Sequence, residues 1–178
     1  MKPIAKVALS GVICALSMVF MLLTVIPGME MGLPALAGTV LVVLVIELGA
    51  KWGFLGYLTV GILSLLVAPS FEARILFAVF FGYYPVLKAL LERMRSRVLC
   101  WCVKLALFNI VMVTTYWVLL RFTTVVEAGD FTVFGVFLPG VLLLIGNVVF
   151  VVYDIALTGV VTTYIRVLQP RLQQLWRF

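Results

Sequence analysis

The chain reads as an all-α, polytopic membrane protein: a bundle of six transmembrane helices with both termini in the cytoplasm. Three observations predict it. Hydrophobic residues make up 65% of the 178 positions and charged residues only 11%, at a mean hydropathy of +1.28; a soluble domain is roughly half apolar and about a quarter charged. The apolar residues fall into six runs with short connections. The cations cluster beside alternate connections, as cytoplasmic Lys and Arg do. With no Ser/Pro-rich linker and no low-complexity segment, residues 1–178 are expected to form a single transmembrane domain.

The spans, in order, are Ile4–Ile26, Leu33–Leu48, Trp52–Ala68, Ala73–Leu91, Val98–Leu120 and Leu138–Ile165. A helix needs about 20 apolar residues to cross the hydrocarbon core; four runs meet that comfortably and the second and third are short. The first follows Lys2 and Lys6, and Ala35-Leu36-Ala37 looks like a small-residue cleavage site. Its apolar stretch, Val7 to Ile26, exceeds the roughly 7–15 residues of a signal-peptide core, so a retained span is expected. The second and third spans are separated by Glu47 to Gly53. A re-entrant hairpin would put Glu47 and Lys51 near the bilayer centre at about 2.5–3.5 kcal/mol each, which favours two spans with a tight cytoplasmic turn. In the fourth span, Tyr83-Tyr84-Pro85 breaks the helix, because proline has no amide hydrogen and clashes with the preceding turn.

Charge orients these spans. With the amino terminus inside, Lys2, Lys6, Lys51, Lys88, Arg93, Arg95, Arg97, Lys104, Arg166, Arg171 and Arg177 are cytoplasmic, leaving only Arg74 and Arg121 of the 13 cations toward the outside. Every loop is short, so the rule applies at full strength. The densest stretch, Leu87 to Lys104, lies between the fourth and fifth spans. The net charge of +6 is thus accounted for by topology and anionic headgroups, and no nucleic-acid partner is expected. The outer connections are Pro27–Gly32, Pro69–Glu72 and Arg121–Phe137; the last is the longest and a candidate lid or short re-entrant element. Trp117 and Tyr116 toward the outer surface, and Trp52, Trp101 and Trp176 toward the inner one, fit interfacial belts.

Chemistry is sparse. There is no histidine, the commonest catalytic base and metal ligand. Cys14, Cys100 and Cys102 have no zinc or disulfide spacing. No protease, Ser–His or phosphate-loop signature is present. No enzymatic activity, metal or cofactor is expected. The intramembrane polar groups are the candidates, since they are costly to place in lipid. Asn147, Asp154 and Thr158 share one face of the last span, and Asn109 and Tyr116 share a face of the fifth. Arg74, Phe77, Phe81, Tyr84 and Lys88 form an aromatic stripe with a cation at each end. One reading places Tyr83, Tyr84, Asn109, Tyr116, Asn147 and Asp154 around an outward-opening, solute-binding cavity between spans four, five and six. The other makes Asp154 a buried ion-pair partner of Lys88 or Lys104, with the asparagines as interhelical hydrogen-bond glue. On the first span Ala8, Gly11 and Ala15 form a small-residue face that suits close helix docking, within the chain or onto a partner.

These features resemble the substrate-binding S component of energy-coupling-factor (ECF) transporters. The resemblance is carried by six short-looped spans in under 200 residues, the Ala8, Gly11, Ala15 face and the Gly49-Ala50-Lys51-Trp52-Gly53-Phe54-Leu55-Gly56 turn. It implies a multi-pass cell-membrane subunit that captures a small-molecule solute, a vitamin or micronutrient, from the outer side. It also implies partners: a transmembrane coupling protein, met through an Ala-x-x-x-Ala pattern on the first helix, and two ATPase subunits. That strict pattern is absent here and Gly11-x-x-x-Ala15 stands in its place. The histidine-rich amino-terminal ligand set of nickel and cobalt members is missing, so a metal substrate is not expected. The size and topology are also similar to the rod-shape scaffold protein MreD, which implies a cell-envelope assembly role without a cavity. A third reading is a small ion- or drug-coupled carrier using Asp154 as a proton site.

Overall fold

In a computed structural model, residues 3–94, 96–122, 132–133, 136–137 and 139–170 are described. The helices are α1 (Pro3–Leu22), prolonged by a 3-10 turn at Leu23–Val25; α2 (Gly32–Leu48); α3 (Ala50–Val67); α4 (Phe71–Leu76), running into a π-turn at Phe77–Phe81; α5 (Tyr84–Leu91); α6 (Arg97–Phe122); and α7 (Pro139–Thr163), ending in a π-turn at Tyr164–Leu168. Two strands of two residues, β1 (Thr132–Val133) and β2 (Val136–Phe137), pair antiparallel between α6 and α7. The expected lid segment Arg121–Phe137 otherwise lies largely outside the described residues, as do Lys2, Arg95, Arg171, Trp176 and Arg177.

Among the described residues, five helical segments are long and apolar enough to cross a membrane: Pro3–Val25, Ala50–Val67, Phe71–Leu91, Arg97–Thr115 and Leu143–Leu168. The sixth apolar helix, α2, has 17 residues and rises about 25 Å, at the lower limit for a crossing. The protein is therefore helical and compatible with embedding in a membrane.

The described residues fall into two compact units, residues 1–95 with 160–178 and residues 96–159. In the first, α2 is the inner helix. Leu33, Pro34, Ala37, Gly38, Leu41, Val42 and Leu44 are buried along it, and Met21, Val60, Ala73 and Phe77 complete the core. Small residues permit this packing, which in lipid depends on close helix approach. Gly56 of α3 faces Leu44, Leu41 and Cys14, Gly53 faces Val45 and Val86, and Gly38 lies directly against the Phe81 carbonyl. The buried Ser17 hydroxyl donates to the Ala37 carbonyl at 2.9 Å, tying α1 to α2 and leaving no unmet donor in an apolar core.

Two connections differ from the sequence expectation. The turn between the second and third spans, expected over Glu47–Gly53, is one residue: Gly49, at φ +94, a left-handed conformation costly for any residue with a Cβ. Its amide caps α2 by donating to the Val45 carbonyl at 3.1 Å. The pairing of Gly53 with Val45 and of Gly56 with Leu44 and Leu41 runs α3 back antiparallel along α2. The fourth span is interrupted before Pro85 and already departs from α geometry at Phe77. Its buried positions include Phe77, Phe80, Tyr84 and Lys88, with Phe81 half-buried, so the aromatic stripe expected through Phe81 runs through Phe80 as well. Ser70 caps α4 by accepting from the Ala73 amide at 3.3 Å.

In the second unit, α6 and the Pro139–Gly159 part of α7 form an antiparallel pair. Phe108 and Phe150 stack with centroids 4.8 Å apart and planes 9° from parallel. Gly146 leaves room for the Phe108 ring edge.

Candidate functional site

The polar residues of the second unit lie in layers along α6 and α7. Lys104 stands seven residues into α6, about 10 Å along the axis at 1.5 Å per residue. Its Nζ donates to both carboxylate oxygens of Asp154, at 2.9 and 3.1 Å. Both side chains are 3% exposed, so the two charges neutralise each other away from solvent, where neither could remain ionised alone without a large desolvation penalty. The ammonium also sits 5.3 Å from the Trp101 ring centroid, within cation–π range. One turn beyond Asp154, the Thr158 hydroxyl donates to the Asp154 carbonyl at 2.8 Å.

About 18 Å from the start of α6, Asn109 and Asn147 form a closed pair. The Asn109 amide donates to Asn147 Oδ1 at 2.8 Å and the Asn147 amide returns a bond to Asn109 Oδ1 at 2.9 Å. Each amide's second hydrogen goes to its own helix, to the Leu105 and Leu143 carbonyls respectively, both at 2.8 Å. All four amide hydrogens are thereby satisfied by protein, as an apolar environment demands. Between the ion pair and the amide pair lies the Phe108–Phe150 stack.

Among the residues singled out from sequence, the structure thus brings Asn109 to Asn147 and Lys104 to Asp154. Lys88, the other cation named for Asp154, is buried in the first unit and pairs with Glu92 at 2.7 Å, one helical turn away. Tyr83 and Tyr84 also belong to the first unit. Tyr84 is 1% exposed and stacks on Phe80 at 5.1 Å; Tyr83 meets the Tyr57 ring edge-on at 6.0 Å. The side chain of Tyr116 lies outside the described residues. Ala8, Gly11 and Ala15 are all exposed on α1, and nothing stands within 4 Å of where a Cβ on Gly11 would be. The opposite face of the same helix buries Ser17 and Met21.

Three contacts with structural consequence are not evident from sequence. Tyr57 donates its hydroxyl to the Ala78 carbonyl at 2.8 Å, bridging α3 to the π-turn of the fourth span. Tyr164, in the π-turn that ends α7, donates to Glu47 Oε1 at 3.1 Å and so ties that turn to the C-terminal end of α2. Arg74 sends its guanidinium to the Ala68 and Leu65 carbonyls, the unsatisfied C-terminal end of α3. A polar tip on an otherwise apolar face was the available signal for Tyr57 and Glu47. Their partners, 21 and 117 residues away, leave no local trace.

Among the described residues no group of three or more Cys, Asp or Glu side chains gathers at metal-binding range. No family model, no curated protein and no solved structure matches the chain.

Proposed function

We propose that the chain is a six-span protein of the cell membrane with both termini cytoplasmic, and that it serves as the solute-binding subunit of an ECF-type uptake system. Three points support the topology. Gly49 returns α3 along α2 after a single residue, so α2 counts as a traverse and Glu47 and Lys51 flank a tight cytoplasmic turn. The described cations Lys6, Lys51, Arg93, Arg97 and Arg166 then fall on the inner side. Arg74, which falls on the outer side, has a separate cause, since it caps the α3 carbonyls where a cation is favoured by the helix dipole.

The observation that carries the functional reading is the face of α1. Ala8, Gly11 and Ala15 are exposed, one above the other, on a helix whose other side is tied into the core by Ser17. Small residues exposed beside the larger Ile4, Val12 and Val19 on a well-anchored helix suit docking of a second transmembrane protein at close range. In this reading the docked protein is the coupling protein with its two ATPases, and the solute enters from the outer side. Co-expression with a coupling protein and ATPase pair from the same source, followed by affinity purification, tests it. Recovery of the four-component complex, and its loss in Gly11→Leu with the isolated subunit still folded, are expected. Failure to recover any ATPase, together with no small molecule retained by the purified protein in mass spectrometry, rejects it.

A specific observation favours a second reading, an MreD-like envelope scaffold. Asn109 bonds Asn147 and Lys104 bonds Asp154 across α6 and α7, as expected of helix-fastening groups. A scaffold predicts co-purification with cell-wall or division proteins through the same α1 face.

A further inference from the structure

The fourth span departs from α geometry at Phe77–Phe81. In a regular helix the Gly82 amide would donate to the Ala78 carbonyl; here it donates one residue further back, to Phe77, at 2.8 Å. The turn therefore contains one residue more than an α-turn. The cause is in the sequence: Pro85 has no amide to offer Phe81 and its ring crowds that carbonyl, and widening the preceding turn relieves the conflict. The Ala78 carbonyl, deprived of the Gly82 amide, accepts instead from the Tyr57 hydroxyl of α3 at 2.8 Å. Gly82 lies under the Tyr57 ring, where a Cβ would overlap that ring and Phe77, and on the other side Gly38 of α2 rests on the Phe81 carbonyl. A single phenol hydroxyl thus stands in for the missing backbone donor.

We infer that Tyr57 is the latch of a hinge in the fourth span, holding it in the π register, and that release of its hydroxyl lets the Gly82 amide alternate between the Phe77 and Ala78 carbonyls. Excess residues in a helix turn are recurrent at functional positions, and the two registers differ in consequence. Removing the extra residue turns α5 relative to α4 by about 100°, at 3.6 residues per turn, and advances it by about 1.5 Å. Tyr83, Tyr84 and Lys88 all lie beyond the hinge and move with it. Gly82 leaves room for the Tyr57 ring, and the aromatic contacts of Tyr57 with Tyr83 and Phe77 change with the register. The hinge does not depend on the solute-binding reading; it operates in either a carrier subunit or a scaffold.

Hydrogen exchange of the protein in lipid nanodiscs, resolved on peptides covering residues 77–91, tests the latch. Tyr57→Phe keeps the ring and removes only the hydroxyl; it is expected to accelerate exchange at residues 78–86 ten-fold or more and to leave α1 and α2 unchanged. Pro85→Ala returns the missing amide, so it is expected to protect the same segment and to make a further Tyr57→Phe change silent, to within two-fold. Exchange in Tyr57→Phe equal to wild type overturns the latch. So does acceleration spread evenly over all helices, or a Tyr57→Phe effect undiminished on the Pro85→Ala background.

Discussion

Asn109 and Asn147 present two carboxamides on otherwise apolar helices, and each is fully satisfied only while the other is in place. Interhelical bonds of this kind are worth about 0.6–2 kcal/mol in membranes. Asn147→Leu is therefore expected to cost about 1–2 kcal/mol of unfolding free energy in mild detergent, and the double replacement with Leu at both positions less than the sum of the singles, since it leaves no amide unmet. The ion pair below them obeys the same logic at higher energy. Asp154→Asn or Lys104→Met strands one buried charge, and removal of one partner of a buried pair costs about 3–5 kcal/mol. The combined Lys104→Met, Asp154→Leu chain is expected to recover most of that loss. Thermal denaturation of the four chains side by side checks it; singles as stable as wild type would mean the pair is not ionised or not buried.

At the scale of the elements, the α2–α3 hairpin concentrates two demands on glycine. Gly49 must hold φ +94, and Gly49→Ala is expected to cost about 1–2 kcal/mol for the left-handed backbone. Gly38 must let α2 lie on the Phe81 carbonyl; a methyl there meets backbone, which cannot turn away, so Gly38→Ala is expected to cost about 1–3 kcal/mol as overpacking, although alanine is otherwise the better helix former. Equilibrium unfolding of both variants separates them, and a stabilised Gly38→Ala would refute the close approach. These elements also show what a sequence discloses. The helix positions were legible, because hydropathy and helix length are local properties. The break at Tyr83-Tyr84-Pro85 was legible too, since proline acts on its own turn. The π-turn that answers it was not, because the Ala78 carbonyl it frees is met by the Tyr57 hydroxyl of α3, 21 residues away. The shared face of Asn147 and Asp154 followed from the helical repeat, but the choice of Lys104 over Lys88 depended on which helix packs against α7, and periodicity carries no information about neighbours.

For the whole molecule, the arrangement of charge makes a claim that the packing does not. A helix pair such as α2 and α3 packs identically whichever way the bundle points, so orientation rests on where cations gather. The described acidic residues provide probes at opposite ends: Glu30 precedes α2 and Glu92 follows α5, and the latter is 44% exposed. In a chain with Cys14, Cys100 and Cys102 replaced by Ala, a cysteine at position 30 is expected to react with a membrane-impermeant maleimide in intact cells. A cysteine at position 92 is expected to react only after permeabilisation. Because five cations of the chain lie between Leu87 and Lys104, no single one decides the orientation, and Arg93→Gln should leave this pattern intact. Replacing Arg93, Arg95 and Arg97 together weakens the bias at the centre of the chain and is expected to produce a mixed population in which both positions label from outside. Equal labelling of positions 30 and 92 in the intact-cell experiment with all three arginines present would reject the inward placement of both termini. The helix packing would survive that result, because it rests on Gly38, Gly49, Ser17 and Tyr57 and on no charge at the membrane surface.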